Sequence, residues 1–139
     1  MFQDWDIRLA KWIDSIRHEP FCWGPHDCIT FANNAAIQMR GAGFADDFLD
    51  GYSTKKSALV RYKSFLRESG YSDLKCALDD RLDRLNTNYA PRGSIVGLPQ
   101  RGVLPFAFGV QISKHCAFVG SSGLVLLYPE NNFLYWGLK

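Results

Sequence analysis

Cys28 is the residue of this chain best placed to do chemistry, and its setting is the run His26-Asp27-Cys28-Ile29-Thr30-Phe31. Asp27 stands where a helix N-cap belongs. From there Cys28, Phe31, Ala32, Ala35, Ala36 and Met39 fall on one helical face, with Gly41 and Gly43 closing the run. A thiol in the first turn of a helix lies at the positive end of the helix dipole, beside backbone N–H groups that favour the thiolate. Those N–H groups are also able to receive the negative charge that develops on an attacked carbonyl oxygen. The pattern predicts a cysteine nucleophile, set against the plainer reading of a small buried residue. His26, two residues earlier on the entering loop, is a candidate base, set against the plainer reading of a structural loop histidine.

The other chemistry-bearing residues form no second site. Cys22, Cys76 and Cys116 complete the cysteines without a Cys-x-x-Cys pair or the Cys/His spacing that holds zinc, and no metal or organic cofactor is implied. Cys76 and Cys116 lie among apolar residues and are expected in the core, as reduced thiols of a chain made in a cytoplasm. His18 is expected as a favourable charge at the end of a first helix.

Helices are expected to position these residues. Asp4 is placed to cap a helix with an apolar stripe of Trp5, Leu9, Trp12, Ile13 and Ile16, which Glu19-Pro20 stops. An aromatic loop, Phe21-Cys22-Trp23-Gly24-Pro25, leads into the Cys28 helix, whose small residues let it lie close against a sheet. A third helix is expected from about Thr54 to Ser69, with Ala58, Leu59, Tyr62, Phe65 and Leu66 inward. A fourth is expected from Ser72 to about Leu85, its charged face, Asp79 to Arg84, solvated.

From Pro91 the hydrophobic period changes. Ser94 to Leu98, Phe106 to Ile112, His115 to Gly120, Leu124 to Tyr128 and Phe133 to Trp136 are short apolar runs separated by turn residues, the pattern of an antiparallel meander. Helices first and strands second predict an α+β class, with N-terminal helices packed on a C-terminal antiparallel sheet. The 139 residues suit one domain, 1–139. Sixteen basic against fourteen acidic residues, scattered along the chain, give nucleic acid no concentrated patch to bind. No apolar run approaches the roughly 20 residues that span a bilayer, and Met1 to Ile7 is too polar for a signal peptide.

The segment Phe21-Cys22-Trp23-Gly24-Pro25-His26-Asp27-Cys28-Ile29-Thr30-Phe31-Ala32 resembles the F-x-W-G-x-x-D-C-x-x-F-A segment of phage-encoded relatives of the NlpC/P60 cysteine peptidases. Arg92-Gly93-Ser94-Ile95-Val96 is similar to the R-G-D-[LIV]-V first strand of that superfamily, with Ser94 in place of the acid. Phe108-Gly109-Val110, Ala117-Phe118-Val119-Gly120 and Tyr135-Trp136 follow the order of its short phage-tail members, so the resemblance runs from about Trp12 to Trp136. It implies a circularly permuted papain-like fold, with Cys28 as nucleophile, a histidine on the second strand as base and a polar residue on the next strand orienting it.

The second strand departs from that pattern. Where active members carry H-[VA]-G-[IV], this chain has Ala107-Phe108-Gly109-Val110. His115 is a candidate substitute. If Ser113-Lys114 is a two-residue hairpin loop, however, Ile112 faces His115, and the two sites lie about 16 Å apart along the ladder. The resemblance therefore implies a structural or assembly component of the phage tail tip or baseplate with a degenerate site, made in the bacterial host and carried in the virion. Its expected partners are other tail proteins and, beyond them, peptidoglycan. The alternative is an active peptidoglycan endopeptidase that works with Cys28 and His115 or His26 during cell-wall penetration.

Overall fold

Along the chain α1 (Trp5–Ile16), α2 (Cys28–Arg40), α3 (Lys55–Ser69) and α4 (Leu74–Arg81) precede six strands. These are β1 (Asp83–Leu85), β2 (Ile95–Pro99), β3 (Phe106–Gln111), β4 (Cys116–Gly120), β5 (Gly123–Leu127) and β6 (Leu134–Gly137). The computed structural model describes residues 1–87 and 90–139. The class is α+β, with one antiparallel sheet in the order β1-β6-β2-β3-β4-β5.

α2 is the central helix. It packs on β3 with one side and on α1 with another, and it is buried from Cys28 to Met39 at nearly every position. Ala32, Ala35 and Ala36, all fully buried, allow that double contact by keeping the helix surface low. Trp12 of α1 stacks on Phe31 of α2 with ring centroids 5.4 Å apart. The helix-facing side of the sheet supplies Ile95, Phe106, Phe108, Val110, Ala117 and Trp136 to the main core. Val96, Cys116, Phe118 and Tyr135 form a smaller cluster with Ala90 and Phe133 on the opposite face.

Several expectations are corrected. β2 to β5 form the meander, but β6 crosses back to lie between β1 and β2. Tyr135 and Trp136 are 2% and 0% exposed, so this strand has both faces to bury and belongs inside the sheet. The fourth helix ends at Arg81, not near Leu85. Leu82 is extended and buried, and Asp83–Leu85 pairs with Tyr135–Gly137, which satisfies its backbone in a ladder. The charged face of that helix is not merely solvated. Arg81 makes a two-pronged bond to Asp47 at 2.6 and 2.8 Å, Tyr71 donates to Asp80 at 2.6 Å, and Trp136 Nε1 donates to Asp79 at 2.8 Å.

Cys76 is exposed, one position off the buried face of Leu74, Ala77 and Leu78, and sits 3.3 Å from the Ser72 hydroxyl. Leu59 is also exposed. Asp4 makes no capping bond because its carboxylate is taken by Arg8 at 2.8 Å.

Candidate functional site

The loop before α2 folds into a tight turn in which Cys22 and His26 exchange two backbone hydrogen bonds of 3.0 Å. Gly24 lies inside it at φ 92°, and a Cβ there would meet the Tyr52 carbonyl oxygen at 2.7 Å, so glycine is required on both counts. Asp27 is 1% exposed and caps α2 with Oδ1, which accepts from Thr30 N at 2.9 Å. Its Oδ2 accepts from Gly24 N at 2.9 Å and from the Tyr52 hydroxyl at 2.6 Å. The Thr30 hydroxyl donates to the Gly24 carbonyl at 2.7 Å. One buried carboxylate thus ties the loop, the helix start and the segment before α3 together. Burial, followed by the bond it donates to Asp27, raises the Tyr52 phenol.

This clamp sets Cys28 at the edge of a cavity of about 280 Å³. Phe21, Trp23, Leu104 and Val119 supply its apolar lining, and Lys55 and Arg101 its cations. Cys28 is 9% exposed. Burial pushes the Cys28 thiol up to about 12; the backbone N–H of Phe108 opposes this, and the neighbouring Asp27 charge adds to it. Burial thus works against the stabilisation of a thiolate expected at the helix start. The helix does offer N–H groups, but desolvation is the larger influence and favours the protonated thiol.

Among the described residues, no hydrogen bond joins a histidine to Cys28. His26 is 6% exposed; its Nδ1 faces Glu19 Oε2 at 3.7 Å and its Nε2 has no hydrogen-bond partner. Neither ring nitrogen is therefore bonded to Cys28. His115 follows the two-residue loop Ser113-Lys114, its carbonyl accepts from Ile112 N at 3.0 Å, and its ring lies 4.4 Å from that of Tyr128. The register Gly109↔Phe118, Val110↔Ala117, Gln111↔Cys116 carries it to the far end of β3 from Ala107, which borders the Cys28 cavity. His18 is exposed beyond α1. The β3 and β4 side chains that face α2, namely Phe106, Phe108, Val110, Ala117 and Val119, are all apolar. Ala107 packs with the cluster on the other face. Among the described residues, no group of three or more His, Cys, Asp or Glu is arranged to hold a metal ion.

A family model described as "Domain of unknown function (DUF6950)" matches residues 1–137. The chain belongs to that family. A comparison with curated proteins gives no match.

In this DUF6950 chain the sequence motif and the structure meet at Gly24, Asp27 and Cys28. The residues that complete the surroundings were not legible. Tyr52 sits in a loop with no pattern linking it to Asp27, and Lys55 and Arg101 reach the cavity only through the tertiary fold. Asn33 is a further omission, because a polar residue on a helix face otherwise small and apolar suggests a partner. Its Oδ1 accepts from Phe44 N and Ala45 N at 2.8 Å, and its Nδ2 donates to Asp46 at 2.7 Å. No helix among the described residues is long and apolar enough to cross a membrane.

Proposed function

We propose that the chain is a phage tail-tip or baseplate component that keeps an NlpC/P60-like fold with a degenerate active site, and that it serves in assembly, not in cleavage. The observation that carries the reading is the Cys28 cavity: a buried thiol pushed up to about 12, apolar strand positions opposite it, and, among the described residues, no hydrogen bond from an imidazole to the sulfur. A cysteine hydrolase needs a base within hydrogen-bond reach and a populated thiolate, and the burial of Cys28 together with the turn of His26 toward Glu19 argues against both. The helix-first order, the central Cys28 helix lying on β3 and the Gly24-Asp27 turn are what support the kinship in fold.

The test is the pH dependence of Cys28 alkylation in the native protein, beside His26→Ala and His115→Ala variants. It is paired with plaque formation by a phage carrying a deletion or Cys28→Ala. The expected result is slow alkylation with a midpoint far above the free-thiol value of about 8.5, unaffected by either histidine, with the deletion abolishing plaques and Cys28→Ala preserving them. The chain should also be detected in purified particles. A depressed, histidine-dependent midpoint, with release of cell-wall peptides that Cys28→Ala loses, overturns the reading in favour of a peptidoglycan endopeptidase.

A further inference from the structure

The sheet ends at β5, and this edge is unusually bare. Gly123-Leu124-Val125-Leu126-Leu127 carries no charge, proline or lysine of the kind that shields sheet edges. Val125 is 44% exposed, Leu126 51% and the following Tyr128 66%, so apolar side chains stand in solvent on both faces of the strand. At its start the edge is already used: Leu124 N donates outward to the Arg17 carbonyl at 2.9 Å. Outward-pointing groups alternate along an antiparallel strand, so the Leu126 N–H and C=O also face away from β4 and have no ladder partner.

Directly beside this edge lies a groove of about 430 Å³, lined by Leu9, Ile13, Asp14, Arg17 and His18 of the α1 region, by Leu124 and Leu126 of β5, and by Arg92. Among the described residues Arg92 makes no ion pair, and Asp14, bonded to Arg17 at 3.1 Å with both side chains exposed, offsets only one of the two arginines.

We propose that the α1–β5 groove binds an extended, acidic segment of a partner protein, which adds to β5 as a further strand. The partner backbone pairs with Leu126, alternate apolar side chains enter the groove, and carboxylates meet Arg17 and Arg92. Charge selects this occupant over a second copy of the chain, since β5, Gly123–Leu127, has no carboxylate to offer the two arginines. The surface is separate from the Cys28 cavity and does not depend on the reading of that site.

The test uses two synthetic capped peptides with the same alternating valine frame, one bearing glutamates and the other lysines, titrated into the amide-labelled protein and followed by NMR. The glutamate peptide is expected to shift and protect the Leu126 amide and to bind about tenfold tighter than the lysine peptide at low salt, with the difference closing in high salt. Leu126→Pro, which removes the edge N–H at a place where proline is tolerated, should abolish binding. Arg17→Ala combined with Arg92→Ala should remove the preference for glutamate while the fold persists, and decides the matter even if the proline variant does not fold. Failure of both peptides to move the Leu126 amide overturns the proposal. So does concentration-dependent dimerisation through β5 in sedimentation, which assigns the edge to a second copy.

Discussion

The Asp27–Tyr52 bond is the sharpest place to test how the Cys28 segment is held. Tyr52→Phe removes one oxygen and leaves the ring packed edge-on against Phe48 at 5.8 Å, so no cavity of consequence forms. What is lost is a 2.6 Å bond to a buried carboxylate. Bonds to charged groups contribute about 1.5–3 kcal/mol. Because Asp27 keeps the N–H groups of Gly24 and Thr30, the cost belongs in the lower part of that range, about 2 kcal/mol. Asp27→Asn keeps an oxygen for Thr30 N–H but turns an amide toward Gly24 N–H, leaving a buried donor facing a donor, at about 2–3 kcal/mol. The hydroxyl of Tyr52 is able to turn and accept from that amide, so the two substitutions should couple by at least about 1 kcal/mol. Urea unfolding with an unchanged slope on denaturant reads these values, and Tm should fall by about 6–8 °C for Tyr52→Phe. A Tyr52→Phe cost within about 0.5 kcal/mol of zero, or strict additivity in the double variant, refutes the clamp. The Asn variant carries a second readout: losing the Asp27 charge removes a contribution that raises Cys28, so alkylation at fixed pH should speed up.

Alkaline pH should destabilise the fold through its buried thiols. The unfolded Cys28 releases its proton near 9.0 and the folded one only near 12, so the native state holds more protons between those values and stability falls as pH rises through that window. Cys116, raised by burial to about 11, adds the same sign over a shorter span. Unfolding of Cys28→Ala measured from pH 8 to pH 11, in about one-unit steps, should show a shallower loss than the parent, and an identical slope would contradict the burial account. Asn33→Ala strands the N–H groups of Phe44 and Ala45 and should cost about 3 kcal/mol in urea unfolding; a loss below about 1 kcal/mol would mean those groups find other partners. Gly24→Ala should destabilise by more than a kilocalorie through its φ of 92° and the Tyr52 carbonyl at 2.7 Å. A neutral result would show that the turn relaxes freely.

How much the sequence disclosed follows from the range of each interaction. Period and capping are local, so the stripe of α1, the start of α2 at Asp27, the start of α3 near Thr54 and the five C-terminal strands β2 to β6 were readable within a residue or two. Asp83–Leu85 was missed because helical spacing continues through Leu82 and Leu85, and only pairing with Tyr135–Gly137 favours the strand. The place of β6 is likewise non-local. At the site, the capping role of Asp27 was legible from its neighbours, whereas the state of the Cys28 thiol depends on how deeply the sheet buries it, which no spacing encodes.

That division bears on what the Trp23-Gly24-Pro25-His26-Asp27-Cys28 motif means. In a hydrolase, the turn and the cap present a nucleophile. In this chain each of the legible members has a sufficient structural cause: Gly24 is fixed by its positive φ and by the Tyr52 carbonyl, and Asp27 by the three donors it satisfies. A buried carboxylate with all three bonds made is costly to replace whether or not chemistry takes place beside it. The motif therefore serves as a folding element whether or not a base stands beside it, and its chemistry turns on the face of β3 opposite the sulfur. There Phe106, Phe108 and Val110 complete a hydrophobic core against α2, and burial in that apolar contact is what pushes the Cys28 thiol up.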